Sequence, residues 1–167
     1  MLKRITAIML ALVMAVSLFS CGEEQDEQKV FTCAELSITL SADYREATPT
    51  DSTNMLLTDG KSTVTFKRLS VIDAEEEGIS PSYTDFQFAE FFLINSDIDG
   101  VIARYADTPY YTYYDGEGAS RLFCLSAFYR TPYAYFIVIF ATSASREADA
   151  REEYFAALKS VVYEIVD

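Results

Sequence analysis

The sequence predicts an α+β fold, a mainly antiparallel sheet of about six to seven strands covered by two helices. Short runs of alternating apolar residues joined by turn-forming residues indicate the strands. Two longer segments carry apolar residues at helical spacing and indicate the helices. Residues 133–142 are apolar on both sides, which is typical of a central strand in a sheet covered on both faces.

Residues 1–20 are predicted to be a signal peptide. Lys3 and Arg4 precede an apolar run of about 15 residues, shorter than the ~20 that a membrane-spanning helix needs. The run leads into Leu-Phe-Ser-Cys-Gly at 18–22, which resembles the lipobox of bacterial lipoproteins. The resemblance implies cleavage after Ser20 and a diacylglycerol thioether on Cys21, and therefore an extracytoplasmic protein anchored to the cell membrane by lipid. Ordinary secretion after cleavage at Ser17 and an uncleaved anchor are the alternatives.

The rest of the chain divides into a tether and one domain. Residues 21–29 are mostly polar and without periodicity, so we expect a flexible tether. Residues 30–167 are predicted to form a single α+β domain, because they show no internal repeat and no second boundary. A domain of this length can bury a substantial core.

The first predicted hairpin pairs residues 30–33 with residues 36–40 across a turn at Ala34-Glu35. Leu36, Ile38 and Leu40 alternate onto one face of the second strand. Residues 47–53 are expected to form a loop.

The second predicted hairpin pairs residues 55–58 with residues 62–71. Asp59-Gly60 lies between them and tolerates the positive φ angles of a two-residue turn. Leu69 is out of phase with the alternation that precedes it, so we expect a bulge near residues 67–68. The acidic segment 73–81 is interpreted as a loop or a short helical turn.

A helix is predicted to begin at Thr84 and to end at residues 95–97. Thr84 can cap the helix while Gln87 bonds back to it, and Tyr83 and Phe88 can form a hydrophobic staple. Apolar residues at 86, 88, 89, 92 and 93 give this helix a broad apolar face.

An antiparallel meander and a second helix are predicted to complete the domain. Strands are expected at residues 101–106, 110–114, 119–130 and 133–142. The closing helix is expected over residues 146–166, with Ser145 as its cap and an ion pair between Glu147 and Arg151.

This order of elements resembles the PsbP-like α-β-α sandwich. The likeness covers nearly the whole domain and includes its two ends, Leu-Ser-Ile-Thr-Leu-Ser at 36–41 and Tyr-Phe-Ala-Ala-Leu-Lys-Ser-Val-Val at 154–162. A cystatin-like fold, with a helix on a sheet, is the alternative. Members of the PsbP-like family perform unrelated functions, so the resemblance implies a fold and no activity.

Composition excludes several classes of function. The chain contains no histidine, which removes His-based catalytic triads, His-ligated zinc and the commonest general base near neutral pH. The formal net charge of −13 disfavours nucleic acid as a partner. No phosphate-binding loop or paired-cysteine metal motif is present, and no cofactor is expected.

Tyr111 and Tyr113 are the candidate ligand-binding residues. They belong to a run of tyrosines at 105, 110, 111, 113 and 114, of which alternate members would cover one face of a sheet. Such a face can bind a glycan or peptide by stacking, or it can consist of cross-strand pairs that stabilise the meander.

A weak calcium candidate follows the first helix. Asn95, Asp97 and Asp99 alternate ahead of Gly100, as in the first half of an EF-hand loop. Position twelve of that loop is Ala106, where a bidentate Glu is needed, so a helix-ending turn without metal is the favoured interpretation.

Cys33 and Cys124 lie in apolar strand-like runs. A disulfide between them is chemically permitted outside the cytoplasm, and two buried thiols are the alternative. The sequence leaves this open.

The functional hypothesis is a non-enzymatic binding or accessory module of the cell envelope, held to the membrane through Cys21 and facing an envelope protein as its partner. Small-ligand or glycan binding at the tyrosine-rich face is the second hypothesis. A carboxylate-based hydrolase is the third, and it requires two facing acids in a cleft.

Overall fold

The computed structural model describes residues 27–49, 53–96 and 98–163. The predicted leader, Cys21 and Asp97 lie outside this part of the chain. Within it, a seven-stranded sheet and a three-stranded sheet combine with three α-helices, which confirms the α+β fold. The strands are β1 Gln28–Cys33, β2 Leu36–Ser41, β3 Arg45–Ala47, β4 Met55–Thr58, β5 Ser62–Ser70, β6 Ala103–Tyr105, β7 Thr108–Asp115, β8 Leu122–Arg130, β9 Ala134–Ser143 and β10 Val162–Tyr163, and the helices are α1 Val71–Glu76, α2 Asp85–Asn95 and α3 Glu147–Lys159.

The large sheet is antiparallel, in the order β3-β4-β5-β9-β8-β7-β6. Strand β9 lies at its centre and is buried along most of its length, as its two apolar sides predict. The turn between β4 and β5 falls at Asp59-Gly60, where Gly60 has a φ of 85°. The second predicted hairpin is therefore confirmed, although its turn has three residues, Asp59 to Lys61, instead of the expected two.

Strand β5 shows no bulge, which corrects the expectation near residues 67–68. It pairs with β9 without interruption from Ser62 to Ser70. Val64 and Phe66 point to one side of the sheet, and Leu69 points to the other side, where it also meets apolar residues. The apolar pattern changes phase because the sheet is covered on both faces.

One face of the large sheet is covered by α3 and by the small sheet β1-β2-β10. The predicted pairing of β1 with β2 is confirmed, although β1 begins at Gln28, two residues earlier than expected. The cluster buried here includes Ile38 from β2, Tyr154 from α3 and Phe140 from β9. The opposite face is covered by α1 and α2, with Phe88, Phe128 and Tyr135 in its cluster.

The closing helix is shorter than predicted. It ends at Lys159, Ser160 turns the chain, and β10 pairs with β2. Ser145 does not cap this helix, since its N-cap is Arg146 without a side-chain hydrogen bond. The ion pair between Arg151 and Glu147 is present at 2.7 Å.

Cys33 and Cys124 are both buried free thiols, so they form no disulfide in the described part of the chain. Cys33 belongs to the cluster beneath α3. Cys124 pairs across strands with Tyr113, which packs on the side of α2. The central sheet therefore lies between the two sulfur atoms.

Candidate functional site

Helix α2 is held firmly at its beginning. The Thr84 hydroxyl accepts a hydrogen bond from the Gln87 amide at 3.3 Å, and the Gln87 side chain accepts one from the Thr84 amide at 3.0 Å. This is the predicted capping box. The Tyr135 hydroxyl donates to the carbonyls of Ser80 and Tyr83 at 2.7 and 3.1 Å, which fixes the loop that leads into the helix.

The inner side of α2 packs tightly on the large sheet. The Phe88 ring lies 4.6 Å from the Tyr135 ring and 5.5 Å, edge to face, from the Phe128 ring. Phe88 and Ala89 are the helix residues that become fully buried. The ring of Tyr83 pairs with Phe91 at 6.4 Å, one helical turn beyond the predicted partner Phe88.

The outer side of α2 carries apolar side chains among its polar ones. Ile94 is 81% exposed, and Phe91 is only partly buried. Together with Tyr83, Gln87, Glu90 and Asn95, these residues line a shallow depression of about 260 Å³. We call these six residues the α2 surface.

A second depression lies on the inner flank of the helix. It has a volume of about 200 Å³ and is lined in part by Leu69, Phe92 and Ile137. Exposed apolar side chains continue on the same layer at Ile72 in α1 and at Val101 beyond α2. The helical layer therefore carries the three most exposed of the large aliphatic side chains in the described part of the chain, a pattern that favours a protein-binding surface.

The helical layer that carries the α2 surface also carries several acidic residues. Glu90 lies within it, Asp85 begins the helix, and residues 75–77 at the end of α1 are three glutamates. Of these acids, Asp85 is paired with Arg104 at 3.9 Å, and the Arg104 guanidinium also lies over the Phe86 ring at 5.0 Å. A complementary partner would present an apolar centre and a basic rim.

Tyr111 does not face solvent, so the predicted stacking platform does not form at this residue. It is 3% exposed and packs against Phe128 at 5.4 Å and Tyr113 at 5.7 Å, on the face covered by α2. Burial raises the pKa of Tyr113 to about 12. Tyr111 is a core residue and Tyr113 is partly buried against it, so this pair serves packing as the alternative interpretation expects.

The other tyrosines of the run lie on the opposite face, near α3. The rings of Tyr105 and Tyr110 pack on Phe155 at 4.7 and 5.2 Å. The Tyr114 hydroxyl donates to a carboxylate oxygen of Glu147. These contacts fix α3 on the edge of the meander.

The calcium candidate is not assembled by the described residues. The Asn95 amide donates to the Phe91 carbonyl at 2.7 Å, and the Asp99 side chain is exposed, while Asp97 lies outside the described part. Within residues 27–49, 53–96 and 98–163, no group of three Asp, Glu or Cys side chains is placed to hold a metal ion.

An acidic groove of about 470 Å³ lies where the described chain begins. Asp43, Asp59 and Glu153 border it, beside Gln28. The Tyr44 hydroxyl donates to Glu153 at 3.0 Å, and burial, together with the charges of Glu153 and Asp59, raises the pKa of Tyr44 well above its usual value. The described helices include none that is long and apolar enough to cross a membrane.

No protein-family model and no curated protein sequence matches this chain. Its fold is nevertheless shared with solved structures of the PsbP and Mog1p kind. Cyanobacterial PsbP (CyanoP) from Synechocystis sp. PCC 6803 aligns with a TM-score of 0.52 and 10% identity, over 87% of this chain and 98% of its own. The Ran-binding protein Mog1p of Saccharomyces cerevisiae aligns with a TM-score of 0.53 and 7% identity, over 83% of this chain and 96% of its own.

A protein from Bacteroides thetaiotaomicron VPI-5482 aligns with a TM-score of 0.57 and 10% identity over 84% of this chain. This chain spans about half, 49%, of the length of that protein. At such identities these likenesses show the fold alone, and they confirm the predicted PsbP-like architecture.

Proposed function

We propose that this chain is a lipid-anchored, non-enzymatic accessory domain of the cell envelope that binds another envelope protein through the α2 surface. The observation that carries the proposal is that Ile94, 81% exposed, lies on the outer side of α2 beside the partly buried rings of Phe91 and Tyr83. Removing such a surface from water on binding is favourable.

The anchor is supported by the leader. A basic start, a short apolar run and Leu-Phe-Ser-Cys-Gly at 18–22 are what lipid attachment at Cys21 requires. An anchored domain needs no strong affinity to find a partner in the same membrane, because the tether raises the local concentration of each near the other.

A non-enzymatic function is supported by the residues available. The chain lacks histidine, and the acids that border the groove at Asp43, Asp59 and Glu153 do not form a cluster able to hold a metal among the described residues. The proposed partner is a protein with an apolar centre and a basic rim, because Glu90 lies in the α2 surface and the end of α1 in the same helical layer carries three glutamates.

Site-specific photocrosslinking in living cells tests this proposal. A photoreactive phenylalanine analogue at Ile94 should give one dominant crosslinked protein, and the same analogue at Glu152, exposed on α3, should not. Ile94→Lys should reduce recovery of that protein from solubilised membranes at least tenfold, whereas Glu152→Lys should leave it unchanged.

The absence of any crosslinked product at Ile94, or the same products at both positions, would contradict the assignment of the surface.

The anchor is tested separately by mass spectrometry of the mature N-terminus. A free amino terminus at any residue other than a lipid-modified Cys21 would contradict lipid anchoring. The binding surface would still be tested by the crosslinks alone.

A further inference from the structure

A small pocket of about 280 Å³ lies at the opposite end of the domain from Glu27, where the described chain begins. It is bounded by the β6–β7 turn, the end of β8, the end of α3 and β10. Buried residues Tyr129 and Thr108 form its floor. Asp85, Asp107, Lys159 and Tyr163 surround its opening, and we call this site the Tyr129 pocket.

The Tyr129 hydroxyl marks the pocket as a site for a ligand. Tyr129 is 1% exposed, and its hydroxyl has no hydrogen-bond partner of normal geometry among the described residues. Burial, reinforced by nearby Tyr163, raises its pKa, while neighbouring Thr108 opposes the shift. The hydroxyl therefore stays protonated near neutral pH, and a buried donor left unpaired is costly.

The charges at the opening indicate the chemistry of that ligand. Asp107 supplies a carboxylate and Lys159 an ammonium group, whereas the Asp85 carboxylate is already paired with Arg104 at 3.9 Å. The end of α3 adds the partial negative charge of a helix C-terminus. A molecule with an ammonium group and a carboxylate a few bonds apart would satisfy both signs at once.

The size and shape of the pocket exclude larger ligands. Its volume corresponds to about nine waters at roughly 30 Å³ each, slightly below the range of drug-sized sites. The Tyr163 ring stands edge to face with the Tyr129 ring at 5.7 Å and forms an aromatic wall.

We propose that the Tyr129 pocket binds a free amino acid in its zwitterionic form. The ammonium group lies towards Asp107, the carboxylate towards Lys159, and the Tyr129 hydroxyl donates a hydrogen bond to the ligand. This inference is independent of the proposed partner-binding function, because the pocket residues are distinct from the α2 surface.

Isothermal titration calorimetry of the protein purified in detergent tests the site, with glycine, L-alanine and L-serine as probes. We expect saturable binding of at least one of them, and at least tenfold weaker binding of ethylamine or acetate, which carry the two charges separately. Absence of saturable heat for all three amino acids at 10 mM (on the order of the weakest useful affinities) would overturn the proposal, as would equal binding of ethylamine.

Three variants locate the binding. Tyr129→Phe, Lys159→Met and Asp107→Asn should each weaken binding at least fivefold, and Asn can keep the left-handed φ of 67° at position 107. Tyr154→Phe is the matched control, because Tyr154 also has a buried hydroxyl without a partner among the described residues but does not line this pocket. Lys61→Met, at the far end of the domain, controls for charge. Equal losses in Tyr129→Phe and Tyr154→Phe would overturn the assignment.

Discussion

Glu35 and Arg68 form a bidentate ion pair that joins the first hairpin to the large sheet. The Arg68 Nε and Nη2 atoms each lie 3.1 Å from a carboxylate oxygen of Glu35. Thr131 donates to the same carboxylate at 3.2 Å. Glu35 is 8% exposed, so the turn of β1–β2 is fastened to β5 and to the start of β9 in a largely dry environment.

Glu35→Ala should destabilise the domain by about 2–3 kcal/mol, near the lower end for a broken buried pair because Arg68 is partly exposed. The loss follows from leaving the guanidinium without its partner. Urea unfolding at neutral pH measures it. Glu147→Ala is the control, because its pair with Arg151 is more exposed and should be worth about 1 kcal/mol or less. Equal losses would contradict a special contribution of Glu35.

The same pair should give the stability a defined pH dependence. Desolvation acts to raise the pKa of Glu35, but the hydrogen bonds and charge of Arg68 and the Thr131 hydroxyl outweigh it, so the pKa falls below its ordinary 4.5. A lowered pKa in the folded state means that the unfolded chain binds the proton more tightly. The stabilisation from Glu35 is therefore complete above about pH 4.5 and is lost as the pH falls through the folded value.

We expect the difference in unfolding free energy between wild type and Glu35→Gln to be constant from about pH 7 to pH 5 and to shrink towards about pH 3. Subtracting the variant removes the background from the many other acids. A difference that grows on acidification would show that the carboxyl is not stabilised in its charged form.

Local chemistry made much of this fold predictable. Asp59-Gly60 marks a turn through the φ of Gly60, and Thr84 with Gln87 marks a helix start, because these signals act over a few residues. The end of α3 was not predictable in this way. Leu158 and Val162 have helical spacing, yet Val162 leaves the helix to pair with Ser37, a contact 125 positions distant that no local pattern records.

The candidate surfaces were harder to predict from the sequence. The excess of apolar residues on α2, with Ile94 among them, was visible, but which of them would meet solvent depends on how the helix lies on the sheet. The tyrosine run was visible too, and only the position of α2 decides that Tyr111 is buried. The Tyr129 pocket combines residues from four distant segments and had no local signal.

The two sides of α2 should respond differently to truncation. Phe88→Ala removes a buried ring that packs on Phe128 and Tyr135, and it should cost about 3–5 kcal/mol. Ile94→Ala removes an exposed side chain and should change stability by about 0.5 kcal/mol or less. Urea unfolding of both variants measures the contrast. A large loss for Ile94→Ala would mean that its side chain is buried in the free protein and is not available to a partner.

Cys33 and Cys124 should resist alkylation in the native protein. Burial raises the pKa of both thiols, to about 11 for Cys124, and the thiolate is the form that reacts. Iodoacetamide at mildly alkaline pH should therefore label neither residue in the folded domain and both of them in urea, as mass spectrometry of tryptic peptides can show.

The denatured sample is the control, because it reports whether each thiol was free at the outset. The central sheet separates the two cysteines, so air oxidation of the native protein should leave both available for labelling after unfolding. Loss of labelling at both positions in urea, restored by a reductant, would show a disulfide and would require a rearrangement of β1 relative to β8.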